Sequence, residues 1–366
     1  MKIALVHDHL NQIGGAEMVL KSLSSAFENA DIYSLIYDKK KMGQFLKDKK
    51  ITPSFIQHLP FGVSGFKAYL PLMPSAVESF DLRGYDAVIS TSSAYAKGAI
   101  TGINTKHVCY CFSPTRYLWS DSHEYTAEIA KKQFLPLKLM LPPLITALRT
   151  WDFSAAQRVD HFIAISNFIA RRIKHYYKRE STVIYPPVEV EKYQISKQKE
   201  PYYVMVTRLR PYKKVDLAIE AFNELKIPLK IIGAGSKKHI RRLKKKAGPK
   251  IEFLGPLSEK AKAETLARAQ AFIHPQEEDF GIAAVEAMAA GTPVIGYGRG
   301  GLLETVIPGK TGTFFEEQTW ESLALAVLTF KQMTFNAETI KQHAHTFKSA
   351  RFQTEMRNFL HNNCLL

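Results

Sequence analysis

The chain has 366 residues, of which 46% are hydrophobic and 23% charged, with 20 Gly and 18 Pro. This ordinary globular composition argues against a disordered, collagen-like or coiled-coil protein, and the length suggests two domains. The net charge of +16 is spread over both halves of the chain, so nucleic acid, anionic membranes and phosphorylated small molecules are all allowed partners.

Cysteine content and apolar patterning bear on the location of the protein. Only Cys109, Cys111 and Cys364 occur, too few for a disulfide framework, which favours a reducing compartment. The polar pair His7-Asp8 interrupts the first apolar run too early for a signal peptide, and no run reaches about 18 apolar residues. We therefore expect a cytoplasmic protein without a membrane-spanning helix.

Short apolar runs typical of buried strands occur in both halves of the chain. In the first half they are Ile3–Val6, Asp31–Leu35, Ala87–Ser90, Val108–Phe112, Phe162–Ile165 and Thr182–Tyr185. In the second half they are Tyr203–Thr207, Leu229–Ile232, Ile251–Leu254, Ala271–His274 and Pro293–Gly296. Segments of helical period lie between them, for example Val215–Leu225, Ser258–Ala269 and Ile282–Ala290. This alternation predicts an α/β protein whose parallel sheets carry helices on both faces.

The alternation occurs twice, with a break at residues 186–188 (PPV) and a polar stretch after it. We predict a doubly wound domain at 1–188, a linker at 189–200 and a second doubly wound domain at 201–348. Residues 349–366 form a last helical region, with packing on either domain open, including a return to the first.

A glycine pair follows the first predicted strand, within residues 11–17 (NQIGGAE). At a strand-to-helix turn, Gly14 and Gly15 let a ligand approach the backbone, and the helix N-terminus presents free N–H groups to an anion. The dinucleotide fingerprint G-x-G-x-x-G is absent. The pair is therefore either part of a phosphate site or a plain strand-to-helix turn.

Two cations stand where the second domain begins. Arg208 leaves the end of a predicted strand, and Lys213 precedes the next helix. Ligands of open α/β sheets bind at the carboxyl ends of strands. There the pair suits a diphosphate, because Arg can fork onto two oxygens and Lys acts as a point charge. Solvated surface charge is the alternative interpretation.

A strand, an acidic loop and a small-residue helix follow one another in residues 274–295 (HPQEEDFGIAAVEAMAAGTPVI). Glu278 lies in the loop and Glu286 two turns inside the helix, while Gly281 leaves backbone N–H groups free at the helix start. An unpaired carboxylate on this otherwise apolar helix would be destabilising. Glu286 therefore needs a partner, either a protein donor or the hydroxyls of a ligand.

This segment resembles the E-x7-E motif of the retaining glycosyltransferases of family 4, which have the GT-B fold. Further matches fall in the family's order, at the Gly14-Gly15 loop, 183–188 (VIYPPV), Arg208/Lys213, 233–235 (GAG), 253–255 (FLG) and 300–304 (GGLLE). The resemblance implies two Rossmann-like domains facing each other across a cleft. Residues 6–8 (VHD), 110–117 (YCFSPTRY) and 212–216 (YKKVD) are similar to those of bacterial mannosyltransferases of polysaccharide assembly.

The resemblance also implies roles for individual residues. Arg208 and Lys213 would hold the donor's diphosphate and stabilise it as it leaves, and Glu278 would bind the transferred sugar; these three are the predicted catalytic residues. Further donor-binding residues are Glu286 for the ribose, Gly281 and Ile282 for the phosphates, Gly14 and Gly15 from the first domain, and Gly233. No metal and no cofactor are expected, because two cations and a helix terminus supply the positive field.

One position departs from the family. Many relatives carry a His where this chain has Phe112, and that His touches the transferred sugar. Phenylalanine cannot donate a hydrogen bond, so the role is not carried over. Neighbouring histidines are His7, His9, His107 and His123. The candidates for the acceptor side of the cleft are His7, Asp8, Phe112 and Arg116.

We expect a sugar, with mannose from GDP-mannose as the leading choice, to be transferred to a glycan or lipid-linked glycan. A UDP-sugar transferase and a non-catalytic nucleotide-sugar-binding relative are the alternatives; a glycoside hydrolase using the two glutamates fits the cationic strand end less well. Two apolar segments, 55–73 and 134–148, suit either ordinary packing or a membrane interface. The basic run 237–246 (KKHIRRLKKK) suits either a solvated helix face or anionic lipid. These features allow the protein to work at the inner face of the cytoplasmic membrane. Nucleic acid is not expected, since no recognition motif accompanies the charge.

Overall fold

The computed structural model describes residues 1–123, 126 and 135–364. The chain divides into two compact units. Unit 1 comprises Met1–Tyr185 and Phe352–Leu366, and unit 2 comprises Pro186–Arg351. Each contains one parallel sheet, as the alternating apolar runs predict.

Unit 1 is a seven-stranded sheet in the order β3-β2-β1-β4-β5-β6-β7. Its strands are β1 (Ile3–Leu10), β2 (Asp31–Tyr37), β3 (Ile51–Pro53), β4 (Ala87–Ser92), β5 (Lys106–Cys111), β6 (His161–Ala164) and β7 (Ser181–Val183). Its helices are α1 (Gly15–Ala26), α2 (Lys39–Met42), α3 (Met73–Glu78), α4 (Leu135–Gln157) and α5 (Asn167–Tyr177). The central strand β4 is buried along its whole length, which explains its continuous apolar and small-residue run.

Unit 2 is a six-stranded sheet in the order β10-β9-β8-β11-β12-β13. Its strands are β8 (Tyr203–Val206), β9 (Leu229–Ile232), β10 (Ile251–Gly255), β11 (Phe272–His274), β12 (Val294–Tyr297) and β13 (Gly312–Phe315). Its helices are α6 (Val215–Leu225), α7 (Lys237–Lys246), α8 (Glu259–Arg268), α9 (Ile282–Ala289), α10 (Leu302–Thr305), α11 (Trp320–Phe330) and α12 (Ala337–His345). The order of strands reverses between β8 and β11, which makes their carboxyl ends the topological switch point of this sheet.

The last helix, α13 (Ser349–Cys364), packs on unit 1 from Phe352 onward. Phe352, Met356 and Leu360 recur every four residues and are buried, so they form one face of the helix. The Phe352 ring lies 5.5 Å from that of Tyr110 in β5. Burial of this face against the sheet explains why the chain returns to its first unit.

The segment 189–200, expected as a linker, packs within unit 2. Tyr193 is buried, and the Lys199 ammonium donates to the Ala267 carbonyl at 2.8 Å and to the Thr292 hydroxyl at 2.9 Å. These contacts attach the segment to unit 2, so it is not a free connector.

All eleven predicted strands are present, with ends that differ by a few residues, and the α/β fold class is confirmed. Two short edge strands, β3 and β13, were not predicted. Among the residues that the structure describes, no helix combines the length and apolar character that crossing a membrane requires.

Candidate active site

The switch point of unit 2 brings together the segments that follow β8 and β11. Arg208 and Lys213 follow β8, and Gln276 and Glu278 follow β11. Since parallel strands end at the same edge of a sheet, residues 65 positions apart in the chain become neighbours there.

Lys213 and Glu278 form a hydrogen-bonded ion pair at this edge. The Lys213 side chain is 12% exposed and that of Glu278 is 21% exposed, so solvent screens the pair weakly. The predicted cation and the predicted sugar-binding carboxylate therefore lie in direct contact.

Two polar side chains complete the surroundings of Glu278. The Gln276 amide donates to Glu278 Oε2 at 3.1 Å and lies 3.1 Å from His274 Nε2. Burial lowers the pKa of His274 to about 4, which leaves the ring neutral at neutral pH. Burial opposes ionisation of Glu278, but Lys213, His274 and Gln276 outweigh it and lower its pKa to about 2. The Glu278 carboxylate is therefore a charged hydrogen-bond acceptor over a wide pH range.

Glycines hold the Glu278 loop at the edge of the sheet. The Gly301 N–H donates to the Glu278 carbonyl at 2.7 Å. A Cβ on Gly300, which has φ +73°, would lie 2.4 Å from that carbonyl oxygen, so only glycine fits this close approach. Gly281, with φ +97°, caps α9 in the left-handed conformation. The first N–H groups of α9, beginning at Ile282, therefore have no acceptor within the helix and can serve an anion.

Arg208 differs from Lys213 in its surroundings. Its side chain is exposed, and within the described part of the chain it makes no hydrogen bond or ion pair. A guanidinium at a strand end without a protein partner can fork onto two oxygens of a ligand. The site thus contains one cation already paired and one available for binding.

Glu286 has protein donors in this structure. Lys262 Nζ of α8 lies 3.1 Å from both carboxylate oxygens, and the buried Tyr193 ring lies beside the pair, with its centroid 5.9 Å from Lys262 Nζ. Burial raises the pKa of Glu286, although Lys262 and Tyr193 oppose the rise. Sequence reasoning missed Lys262 and Tyr193. The available signal was that a carboxylate on an apolar helix needs a cation nearby.

Gly233 serves the backbone of the sheet. It has φ +143°, and a Cβ there would lie 1.8 Å from the Thr207 carbonyl oxygen. This contact requires glycine whether or not a ligand binds, so donor binding by Gly233 stays a prediction.

In unit 1, the predicted residues gather around the carboxyl end of β1 and the start of α1. Gly14 is the N-cap of α1 and Gly15 its first residue. A Cβ on Gly14 would lie 3.1 Å from Glu17 Oε2. His7 is buried, with Nδ1 2.7 Å from the Thr91 hydroxyl and Nε2 3.9 Å from Glu17 Oε1. Sequence reasoning did not single out Glu17, which is a buried carboxylate in the first turn.

Asp8 has a structural role in the loop after β4. Its carboxylate accepts the backbone N–H groups of residues 93–96 at 2.6–2.9 Å and also the Ser93 hydroxyl. Burial opposes its ionisation, but the neighbouring histidines and these N–H donors lower its pKa. The Asp8 oxygens are thus engaged in shaping the loop.

Phe112 follows β5 and is half-buried, with its ring 5.6 Å from Tyr110. Arg116 lies in the next loop and donates to Asp121 at 2.9 Å. His107 lies near the amino-terminal end of β5, 2.8 Å from the Ser90 hydroxyl, which removes it from the carboxyl edge. The His9 ring lies 4.8 Å from that of Phe66 in a tilted arrangement, and burial lowers the pKa of His9 to about 4.

The first apolar segment mixes exposed and buried side chains. In 55–73, Phe61 is 81% exposed while Met73 is buried. Phe134 and the preceding Lys131 and Lys132 lie outside the described residues. Among those described, no group of three or more His, Cys, Asp or Glu side chains could hold a metal ion.

Two protein-family models match the chain in succession. The model described as Glycosyltransferase Family 4 matches residues 13–192, and the one described as Glycosyl transferases group 1 matches residues 189–347. The Lys213, Glu278 and Glu286 contacts all fall in the second.

Relatives and solved structures agree with this result. A protein named as an uncharacterized glycosyltransferase of Methanocaldococcus jannaschii is 30% identical over 48% of this chain, and the match spans half of its own length. The alpha-1,3/1,6-mannosyltransferase ALG2 of Dictyostelium discoideum is 22% identical, with 85% of each chain covered. The structure of Anabaena HepE in complex with UDP superposes with a TM-score of 0.76 at 18% identity, covering 99% of this chain and all of that one.

Proposed function

Because this chain belongs to the family-4, group-1 glycosyltransferases with the GT-B fold, we propose that it transfers a sugar from a nucleotide-sugar donor to a glycan or lipid-linked glycan. The observation that carries the proposal is the switch point of unit 2. There a paired lysine, an exposed arginine, an ionised glutamate and a helix N-terminus meet at one sheet edge. This set matches the needs of a sugar diphosphate, which has an anionic end and a hydroxyl-rich end.

The proposed reaction retains the anomeric configuration. Arg208, Lys213 and the N–H groups at Gly281 and Ile282 bind the diphosphate and stabilise the negative charge that develops as its bond to the sugar breaks. The acceptor hydroxyl attacks the anomeric carbon from the face that the diphosphate leaves, and a phosphate oxygen takes its proton. Glu278 accepts hydrogen bonds from sugar hydroxyls. Protein cations supply the field, so the proposal includes no metal.

GDP-mannose is the proposed donor, and mannose is the sugar that is transferred. ALG2 proteins from Dictyostelium discoideum and Schizosaccharomyces pombe, named as mannosyltransferases, match over 85% of this chain. A UDP-sugar is the second candidate, because HepE was solved in complex with UDP-glucose.

A non-catalytic, nucleotide-sugar-binding role is a further candidate, favoured by one observation. Phe112 offers no hydrogen-bond donor beside the strand end where it stands. Binding of a donor without any glycosidic product would support this role over transfer.

We also propose that the protein works at an anionic membrane surface when its acceptor is lipid-linked. Helix α7 supports this idea, because the side chains of Lys237, Arg241 and Lys245 lie one turn apart and are exposed. Each basic side chain near an anionic surface contributes about 1 kcal/mol to binding.

A thermal-shift screen with GDP-mannose, UDP-glucose and ADP-glucose, followed by a transfer assay with and without EDTA, tests the proposal. A donor at about 100 times its dissociation constant should stabilise the protein by about 2.7 kcal/mol. We expect GDP-mannose to give the largest shift and turnover to survive EDTA. Absence of a shift and of turnover with every donor would refute the proposed function, and loss of turnover in EDTA would refute its metal independence.

A further inference from the structure

Glu286 lies in a network that links three segments of unit 2. Lys262 of α8 contacts both of its oxygens at 3.1 Å, and the ring of Tyr193, from the segment 189–200, lies with its centroid 5.9 Å from the Lys262 ammonium. Lys262 also reaches Glu259 at 3.0 Å, one turn earlier on α8. A carboxylate whose two oxygens are held by one ammonium, beside a buried phenol ring, has a fixed plane and direction.

The network is well shielded from solvent but still reachable. The Lys262 side chain is 12% exposed and that of Glu286 18% exposed, whereas Tyr193 is buried. A carboxylate has about four lone-pair positions. Lys262 occupies one on each oxygen, which leaves acceptor capacity at the exposed part of Glu286 for a ligand hydroxyl.

We propose that Lys262 and Tyr193 are positioning residues, which keep the Glu286 carboxylate ionised and oriented to accept the hydroxyls of the donor's nucleoside. This inference rests on the proposed nucleotide-sugar function. It gives α8 and the segment 189–200 a part in donor binding, although neither carries a motif for it.

Charge is the property that Lys262 supplies. Burial raises the pKa of Glu286, Glu259 raises it further, and Lys262 and Tyr193 lower it. Burial would lower the pKa of Lys262, but Glu286 and Glu259 outweigh this effect and raise it, so the ammonium persists. Burial and Glu286 raise the pKa of Tyr193, which therefore remains a donor. Without Lys262, Glu286 keeps the like-charged Glu259 as a neighbour, which raises its pKa.

The test compares Lys262→Met, Lys262→Arg and Lys260→Met by calorimetric titration with GDP and with UDP. Lys260 is the matched control, because it lies on the same helix and is exposed. We expect K262M to weaken binding of the preferred nucleotide by about tenfold or more, as when a hydrogen bond to a charged group is lost. K262R should bind close to wild type, since Arg can reach both oxygens, and K260M should be unchanged.

The pH dependence separates this role from a merely structural one. In K262M the pKa of Glu286 should rise, so nucleotide affinity should recover as the pH is raised and the carboxyl ionises. The wild type should reach its full affinity at a lower pH. In a double-mutant cycle, K262M should have no further effect in an E286Q background, because Lys262 acts through Glu286.

The outcomes distinguish the inference from the function on which it rests. Wild-type binding of nucleotide that K262M leaves intact, or additive losses in the cycle, would overturn the positioning role and leave the proposed function standing. Failure of the wild type to bind GDP or UDP would overturn both. Thermal unfolding of K262M checks its fold, and K262R with an unaltered fold but no binding would also contradict the inference.

Discussion

Arg208 and Lys213 stand five residues apart at the same sheet edge, yet their surroundings differ. Lys213 neutralises Glu278, and both side chains are mostly shielded from water. The Arg208 side chain is exposed and, among the described residues, makes no hydrogen bond or ion pair. Removal of Lys213 therefore leaves the shielded Glu278 carboxylate without its counter-ion. Removal of the Arg208 side chain breaks no hydrogen bond or ion pair within the described residues.

We predict that Arg208→Ala and Lys213→Ala separate catalysis from stability. Both should lower kcat/KM by about 100-fold or more, the scale seen when one preorganised electrostatic group is lost. Only K213A should also lower the melting temperature, because Glu278 loses its counter-ion. Transfer assays and thermal unfolding measure the two effects, with exposed Arg210→Ala as the control. Near-normal rates in both variants would contradict the proposed diphosphate site.

The residues that sequence reasoning singled out differ physically from Lys262, which it did not single out. Glu278, Lys213 and Glu286 occur in patterned segments, next to glycines and strand ends. Lys262 lies on a helix with several other charged residues, and nothing local separates it from Lys260. Only the packing of α8 against α9 selects it, and such packing is a long-range property that one sequence does not reveal.

At the scale of elements, the central strands that sequence predicted are mostly buried, while the predicted edge strands β7 and β10 are only partly buried and were marked by their short apolar runs. Edge strand β3 (Ile51–Pro53) is three residues long and half-buried, and β13 contains Gly312 and two partly buried residues. Such strands lack the continuous apolar run that marks a central strand. The extent of α6 (Val215–Leu225), in contrast, matched the prediction at both ends, because its buried face has a clear helical period.

Helix α7 is strongly amphipathic, and its charged face provides a test of membrane contact. Leu243 is buried, while Lys237, Arg241 and Lys245 project to solvent and, in the described part of the chain, form no ion pair. No Phe, Tyr or Trp occurs in the helix, so it lacks a stacking platform for single-stranded nucleic acid.

We predict that K237Q/R241Q/K245Q weakens binding to phosphatidylcholine vesicles containing phosphatidylglycerol by more than about tenfold, since three charges of about 1 kcal/mol each are removed. Cosedimentation measures the partition, and added salt should mimic the mutation. The control K39Q/K40Q/K47Q removes three exposed charges from unit 1. Equal losses in the two variants would indicate a general charge effect, and no loss in either would exclude α7 as a lipid-binding surface.

At the scale of the whole molecule, both sheets bury neutral histidines. Burial lowers the pKa of His9 and His107 in unit 1, and of His274 in unit 2, to about 4 in each case. In the unfolded chain these rings bind protons near pH 6.5. The unfolded state therefore takes up more protons between about pH 6.5 and 4, and the folded state loses stability over that window as the pH falls.

The carboxylates of Glu278 and Glu286 affect stability at lower pH than the histidines, and their two effects have opposite signs. Glu278 has a folded pKa of about 2 against 4.5 unfolded, so its stabilisation is complete above about pH 4.5 and is lost toward pH 2. The raised pKa of Glu286 acts in the opposite direction, because the folded state then binds the extra proton. The decline between about pH 6.5 and 4 should therefore come mainly from the histidines.

We predict that the urea midpoint falls as the pH is lowered from neutral toward 4, and that His107→Gln makes this decline shallower. The substitution reduces the difference in bound protons between the unfolded and folded states by up to one. Gln can still hydrogen-bond to the Ser90 hydroxyl, as His107 does. His58→Gln, at an exposed position, should leave the slope unchanged. Because the two units can unfold separately, tryptophan fluorescence, with Trp119 and Trp151 in unit 1 and Trp320 in unit 2, should be followed beside circular dichroism. A urea midpoint independent of pH in this window would contradict the prediction, because the buried rings would then bind protons as readily in the folded protein as in the unfolded chain.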